Sequence, residues 1–167
     1  MAATSTDTGD RPLHPVAREL AASTGFLLAR LGVAFRGTAV VAVDDAGFEI
    51  HDYPVLAILG EADRETQATI ADAIGLDPSR LVALLDSLER RDLVVRARDP
   101  HDRRRHVVRI TAAGRVELGR LRALAGRIEE AFFEPLADGE RAALHELLVR
   151  LAERHDPRCC PLDDPDC

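Results

Sequence analysis

Three consecutive arginines, Arg103, Arg104 and Arg105, follow Asp102 in a charged segment that begins at Asp99-Pro100. Adjacent guanidiniums repel one another and add nothing to a core, so such a run is either a solvated surface or a site for a polyanion. The chemistry that suits it is contact with phosphates, or insertion of one Arg into a narrow DNA minor groove, where the negative potential is strongest. Asp102 is placed to pair with Arg104 and fix the direction of its guanidinium. A second set lies upstream. Leu81, Leu84, Leu85 and Leu88 recur at i, i+3, i+4 and i+7, which predicts one apolar helix face. The opposite face holds Ser79, Ala83, Asp86 and Arg90, with Arg80, Val82 and Ser87 on the shoulders. Small residues permit close approach to a major groove, and Arg or Ser reach base edges. Asp86 repels phosphate, which places the expected base contacts at Pro78, Ser79, Arg80, Val82 and Ala83, with Ser87 beside them. Val82 offers a thymine-methyl contact rather than a hydrogen bond. Any amphipathic helix has such a face, so the arginine triplet carries more of the weight.

These side chains need elements to position them. Residues 14–43 have a helical apolar rhythm, although Gly25, Gly32 and Gly37 each cost about 1 kcal/mol relative to Ala. The β-branched run at 38–43 is expected to fray or to extend. A second helix is predicted from Asp52, with Pro54 in its first turn. A third follows Thr66 as N-cap and stops at Gly75. Asp77-Pro78 then reads as N-cap and first helical residue of the fourth. Residues 93–98 and 106–110 change to a strand period around the charged segment. Thr111 caps a long helix with a stripe of Leu118, Leu121, Ala125, Ile128 and Phe132, which Pro135 ends, and a last helix begins near Asp138. The predicted fold is mainly α with a small β-hairpin wing, a winged helix-turn-helix flanked by helices at both ends. The outer helices carry apolar stripes that a second copy of the chain is expected to cover.

The net charge of −7 opposes a nucleic-acid partner only as a sum. Every one of the 22 basic residues is Arg, and residues 80–109 hold nine Arg against five acids. An acidic body with one basic segment suits a steered polyanion contact. A GC-rich source explains the absence of Lys but not this clustering. No run of 18 uninterrupted apolar residues is present, and residues 1–10 lack a basic, then apolar, leader pattern, so no membrane partner and a cytoplasmic location are expected. Neither a Gly-rich phosphate loop, a Gly-x-Ser-x-Gly elbow nor a His-Glu-x-x-His helix occurs, which argues against an enzyme. Cys159, Cys160 and Cys167 lack the paired spacing of a zinc site, so no metal or cofactor is expected, with or without His155.

Three motifs together resemble the MarR (multiple antibiotic resistance regulator) family. Asp102-Arg103-Arg104 followed by Val107-x-Arg109-Ile110-Thr111-x-x-Gly114 is similar to its wing signature. Thr66-Gln67-x-x-Ile70-Ala71-x-x-Ile74-Gly75-Leu76 is similar to the lead into its helix-turn-helix, where Thr66 and Gln67 are expected to contact DNA. Leu85-Asp86-x-Leu88-Glu89-x-x-x-Leu93-Val94 is similar to the stretch after it. The resemblance implies an obligate homodimer with interleaved terminal helices on a pseudo-palindromic double-stranded DNA operator. Each recognition helix would enter a major groove and each wing a minor groove, with repression the commoner outcome. The chain departs from the family pattern at Val82 and Ala83, where Thr and Arg are usual, and at Asp92, where Gly is usual.

The family resemblance also implies a small-molecule effector, often an aromatic or phenolic acid. Its expected pocket lies between the DNA-binding lobe and the dimerisation helices, lined by Arg30, Phe35, His51 and Tyr53. In that reading Arg30 holds a carboxylate; in the plainer one it is a solvated helix residue and Tyr53 a core packer. Two alternatives stay open: a thiol-based sensor using the three cysteines, and a winged helix used only for protein contact. The predicted organisation is an arm at 1–12 and a dimerisation region at 13–50, then the winged helix-turn-helix at 51–112. Dimerisation helices at 113–155 and a Cys-, Asp- and Pro-rich tail at 156–167 follow, the arm and the tail both expected to be poorly ordered.

Overall fold

The computed structural model describes residues 15–62, 65–98, 106–156 and 158. The elements run α1 (Arg18–Ala21), α2 (Thr24–Asp45), α3 (Asp52–Glu61), β1 (Glu65–Thr66), α4 (Gln67–Ile74), α5 (Pro78–Arg90), β2 (Val94–Arg98), β3 (His106–Ile110), α6 (Ala112–Phe132) and α7 (Asp138–His155). The chain divides into two compact units, Met1–Gly37 and Thr38–Cys167.

Helix α2 departs from expectation in two ways. It runs unbroken through Gly25, Gly32 and Gly37, and residues 38–43 are helical rather than frayed or extended. Ser23 starts it, its hydroxyl accepting from the Phe26 amide at 3.3 Å. Val and Thr lose only a few tenths of a kcal/mol each in a helix, too little to break one that continues on both sides. The second departure concerns membranes. By length and composition α2 is apolar enough to cross one, and most of its residues are solvent-facing in the single chain. Counting uninterrupted apolar runs misses this, because Arg30 and Arg36 break the run without offsetting the surrounding Leu, Val, Ala and Phe.

The second unit has one core. Val55, Leu56 and Leu59 of α3 meet Ile70 and Ala71 of α4, the four leucines of α5, Val94 and Val108 of the sheet, and Leu118 and Leu121 of α6. The sheet is antiparallel in the order β1-β3-β2, with Thr66 paired to Val107 and Arg98 to His106. Two of its helices end in the same device. At α4, the amide of Leu76 bonds to the Ala71 carbonyl at 2.9 Å while Gly75 turns left-handed at φ 63°. At α5, Leu93 bonds to Leu88 at 2.9 Å, with Asp92 at φ 57° in the position where glycine is favoured. Asp tolerates this conformation better than most residues.

One buried charge ties the second unit together. Asp52 is 1% exposed, and its Oδ2 accepts from the Glu49 amide at 2.9 Å and from Arg91 at 3.3 Å. The Arg91 guanidinium stacks over Phe48, 4.1 Å from the ring centroid. Burial raises the Asp52 pKa above its ordinary 3.8, partly opposed by the Glu49 amide and by Arg91. A raised folded pKa means that the folded state binds the proton more tightly. The stability this group contributes is therefore full below the ordinary value and is lost as pH rises through the folded one. In urea unfolding at a series of pH values, Asp52→Asn should flatten the fall in stability above pH 4 relative to the parent. Arg91→Ala should cost about 2 kcal/mol at neutral pH, because it leaves a buried carboxylate without its cation.

Candidate nucleic-acid interface

The recognition helix candidate, α5, is fixed at its start by Asp77, which accepts from both the amide and the hydroxyl of Ser79. Those bonds to Ser79 hold the Asp77 carboxyl below its ordinary pKa. The cap commits the Ser79 hydroxyl to the protein. Pro78, Ser79, Arg80, Val82 and Ala83 are exposed and Ser87 is half-buried, while Leu81, Leu84, Leu85 and Leu88 face the core.

The two shoulders of α5 are built differently. On one, Val82, Asp86 and Glu89 form a stripe at i, i+4 and i+7, and Arg96 of β2 lies along it. Its Nη1 donates to Asp86 and, at 3.1 Å, to Glu89; its Nη2 donates to the Val82 carbonyl at 3.1 Å. The Arg96 amide also donates to Glu89, at 3.0 Å. This clamp fixes the strand that leads to the wing against the helix. It also offsets part of the charge of Asp86 and Glu89, one guanidinium against two carboxylates, and Arg90 in the last turn stays exposed. The other shoulder opens into a cleft of about 360 Å³ lined by Glu49, His51, Leu76, Arg80, Ala83, Leu84, Ser87 and Arg90. Arg80, Ala83, Ser87 and Arg90 thus form one continuous outward strip.

Of Thr66 and Gln67, both expected at the DNA, Thr66 caps α4. The Thr66 hydroxyl accepts from the Thr69 amide at 3.1 Å and the Thr69 hydroxyl accepts from the Thr66 amide at 3.0 Å, a reciprocal cap on α4. Gln67 is half-buried at the first helical position. Asp102, Arg103, Arg104 and Arg105 lie outside the described residues. The strands on either side of them are paired up to Arg98 and His106.

Residues 46–105 match the MarR family's sequence profile. A protein of Thauera aromatica assigned to transcriptional regulation of the hcr operon is 32% identical over 133 residues, 79% of this chain and 80% of its own. The chain belongs to the MarR family. A MarR-family regulator from Rhodococcus sp. RHA1 is 32% identical, with a TM-score of 0.72 over 81% of this chain and 96% of that one. The repressor CouR bound to a 23-mer DNA duplex is 31% identical, with a TM-score of 0.74 over 84% and 99%. This MarR-family chain is therefore a DNA-binding winged-helix transcriptional regulator, as the motifs around Thr66, Leu85 and Asp102 implied.

The four residues expected to line an effector pocket are dispersed along the chain. Arg30 is exposed and Phe35 half-buried on α2, in the unit Met1–Gly37. In the other unit, Tyr53 packs against the core and His51 borders the cleft beside α5. Arg96, Asp52, Arg91 and Arg90 are absent from the residues expected at the site, and the structure adds them. The alternation of Val94, Val95 and Arg96 after Glu89 was the one available signal for the clamp. Cys159, Cys160 and Cys167 lie outside the described residues, and among the described residues no group of three potential ligands could hold a metal ion.

Proposed function

We propose that the chain represses transcription as a homodimer on a pseudo-palindromic operator, and that a small aromatic or phenolic acid weakens its grip on DNA. The observation that carries this is the exposed strip of Arg80, Ala83, Ser87 and Arg90 on a helix capped at Asp77 and clamped by Arg96. In this reading α5 enters a major groove and Arg103, Arg104 and Arg105 reach the flanking minor groove. Leu27, Leu28 and Leu31 of α2 and Leu147 and Leu151 of α7, all more than 40% exposed, meet a second copy in the dimer, which accounts for the apolar surface of α2 without a membrane. The proposed organisation keeps 13–50 and 113–155 for dimerisation and 51–112 for DNA, in a cytoplasmic protein. Support for a repressor comes from NicR of Pseudomonas putida, an HTH-type transcriptional repressor 29% identical over 101 residues, 60% of this chain and 64% of its own. Support for an aromatic effector comes from CouR of Rhodococcus jostii RHA1, solved with p-coumaroyl-CoA at 30% identity and a TM-score of 0.68. That alignment covers 81% of this chain and 96% of that one.

The test is a titration of a mixed-sequence duplex by fluorescence anisotropy across a salt series, with the mass measured by sedimentation. Binding should weaken steeply with salt as counterions are released. Arg104→Ala should lower affinity on all sequences and reduce the log–log salt slope by about one contact. Arg80→Ala should change sequence preference more than bulk affinity. A salt-independent constant would favour the protein-contact module, and affinity lost on thiol oxidation would favour the cysteine sensor.

A further inference from the structure

Arg91 is the residue at which α5 ends, and its side chain reaches 39 residues back to the start of α3. Its backbone holds the last turn of α5 loosely. The Arg91 amide meets the Ser87 carbonyl at 3.3 Å, against 2.9 Å for Leu93 on Leu88. The guanidinium supplies what the backbone lacks, 4.1 Å over the ring of Phe48 and 3.3 Å from Asp52 Oδ2. Phe48 is itself fixed to the end of α2, its amide on the Val43 carbonyl at 3.0 Å across a left-handed Gly47. The end of α2 and the start of α3 thus build a seat for Arg91, and the seat holds the turn of α5 that carries Ser87 and Arg90.

That seat contains a half-satisfied charge. Asp52 is 1% exposed, and its Oδ2 accepts from both the Glu49 amide and Arg91. Its Oδ1 is buried with no hydrogen-bond partner among the described residues. A buried carboxylate oxygen without a donor favours the neutral acid. The charges that act on Asp52 are Arg91, from the end of α5, and Glu49, from the loop before α3. His51 precedes it in the chain, and Arg115 of α6 bonds at the other end of α3, to the Gly60 carbonyl at 3.3 Å. One cation therefore favours the ionised form against burial and a neighbouring acid. Ionised, Asp52 gives Arg91 a charge-assisted bond; neutral, it leaves Arg91 the ring of Phe48 and an ordinary acceptor.

We propose that Arg91 is a positioning residue for DNA binding and that its seat is a proton-operated joint, in which a proton on Asp52 loosens the last turn of α5 and weakens the hold on DNA. The proposal rests on α5 as the helix that meets DNA. Its signature is a sign. Acid adds positive charge at His51 and removes negative charge at Glu49, both of which line the cleft beside Arg80 and Arg90. Plain electrostatics therefore tightens DNA binding as pH falls, and the joint predicts the opposite. The joint also separates affinity from stability. Burial makes the folded chain bind the Asp52 proton more tightly than the unfolded one, so protonation stabilises the fold while it weakens the complex.

Fluorescence anisotropy of the full chain on a labelled mixed-sequence duplex, at constant ionic strength from roughly pH 5 to 8, tests this. Asp52→Asn keeps the shape of the neutral acid. At the upper end it should bind about ten-fold more weakly than the parent, the difference between a charge-assisted hydrogen bond and a neutral one. The two curves should converge as pH falls, and the contributions of His51 and Glu49, common to both, cancel in their ratio. In urea, Asp52→Asn should keep the parent's stability at neutral pH while losing affinity, a split that a merely structural role does not produce. Arg91→Lys should restore part of the affinity lost in Arg91→Ala, with the salt slope of the parent in both. Equal or tighter binding by Asp52→Asn would overturn the proposal, as would an affinity that falls only in step with stability. A salt slope lower by about one in Arg91→Ala would overturn it too, by making Arg91 a phosphate contact. An absence of DNA binding by the parent at every pH would instead refute the reading of α5 itself, and this proposal with it.

Discussion

Arg96→Ala is expected to weaken binding to duplex DNA by one to two orders of magnitude while leaving the chain folded. Arg96 is a positioning residue: its side chain is 19% exposed and turned toward α5 rather than outward. It makes three bonds from its guanidinium and one from its amide to the stripe of Val82, Asp86 and Glu89. Removing the side chain has two effects with the same sign. Strand β2 loses its register against α5, so the parts proposed to contact DNA no longer fit two grooves at once. Asp86 and Glu89, 54% and 39% exposed, also lose their shared cation on a flank of the helix proposed to meet DNA. A loss of about 2 kcal/mol corresponds to roughly thirty-fold in affinity. Arg96→Lys should recover only part of it, since an ammonium cannot bridge two carboxylates and a carbonyl as a planar fork does. The salt slope separates positioning from contact. If Arg96 only positions, affinity falls with the slope nearly unchanged; a slope reduced by about one would mean that Arg96 itself touches a phosphate.

That clamp marks the boundary of what the sequence makes legible. Thr66, Gly75, Asp77-Pro78 and Thr111 announce helix ends because their effects are local: a hydroxyl or carboxylate reaches an amide two or three residues away. The four leucines of α5 announce its buried face for the same reason. Arg96 meets Val82 across 14 residues, and Arg91 meets Asp52 across 39, separations that no periodicity reports. Strand β1 is two residues long, too short for an alternation to register, and it exists because β3 offers it an edge. Helix α2 was obscured by its glycines. Among the described residues nothing lies within 4 Å of a Cβ built on Gly32 or Gly37, so close packing within the single chain does not explain them. The candidate interface was legible in its residue types but not in its balance. Asp86 read alone is a repulsive charge, and beside Arg96 it is half of an ion pair, which returns the last turn of α5 and Arg90 to the exposed strip.

Gly114→Ala should be the most destabilising single methyl addition in the second unit. The sequence shows Thr111-x-x-Gly114 as a motif, and the structure supplies its reason. Leu93 ends the turn after α5, and its carbonyl accepts from the Thr111 amide at 3.0 Å and from the Thr111 hydroxyl at 3.2 Å. That hydroxyl also donates to the Asp92 carbonyl at 2.6 Å and accepts from the Gly114 amide at 2.9 Å. Strand end, helix cap and the exit of α5 therefore meet around one oxygen. A Cβ on residue 114 would lie 2.1 Å from the Leu93 carbonyl oxygen and 2.7 Å from Ile110 Cγ1. A flexible side chain could swing away, but Leu93 cannot, because its own amide is bonded to Leu88. Relief requires the start of α6 to move off the sheet, which opens the contacts of Leu118 and Leu121 with the core. Overpacking against fixed backbone costs about 3 kcal/mol. For a chain of this size that lowers the melting temperature by roughly 10 °C. Urea titration of parent and variant measures the cost directly. A difference below about 0.5 kcal/mol, the range of an ordinary surface change, would mean that α6 is not seated on the Leu93 carbonyl. DNA affinity should fall with stability here, because the displaced junction joins the sheet to α5, the helix proposed to contact DNA.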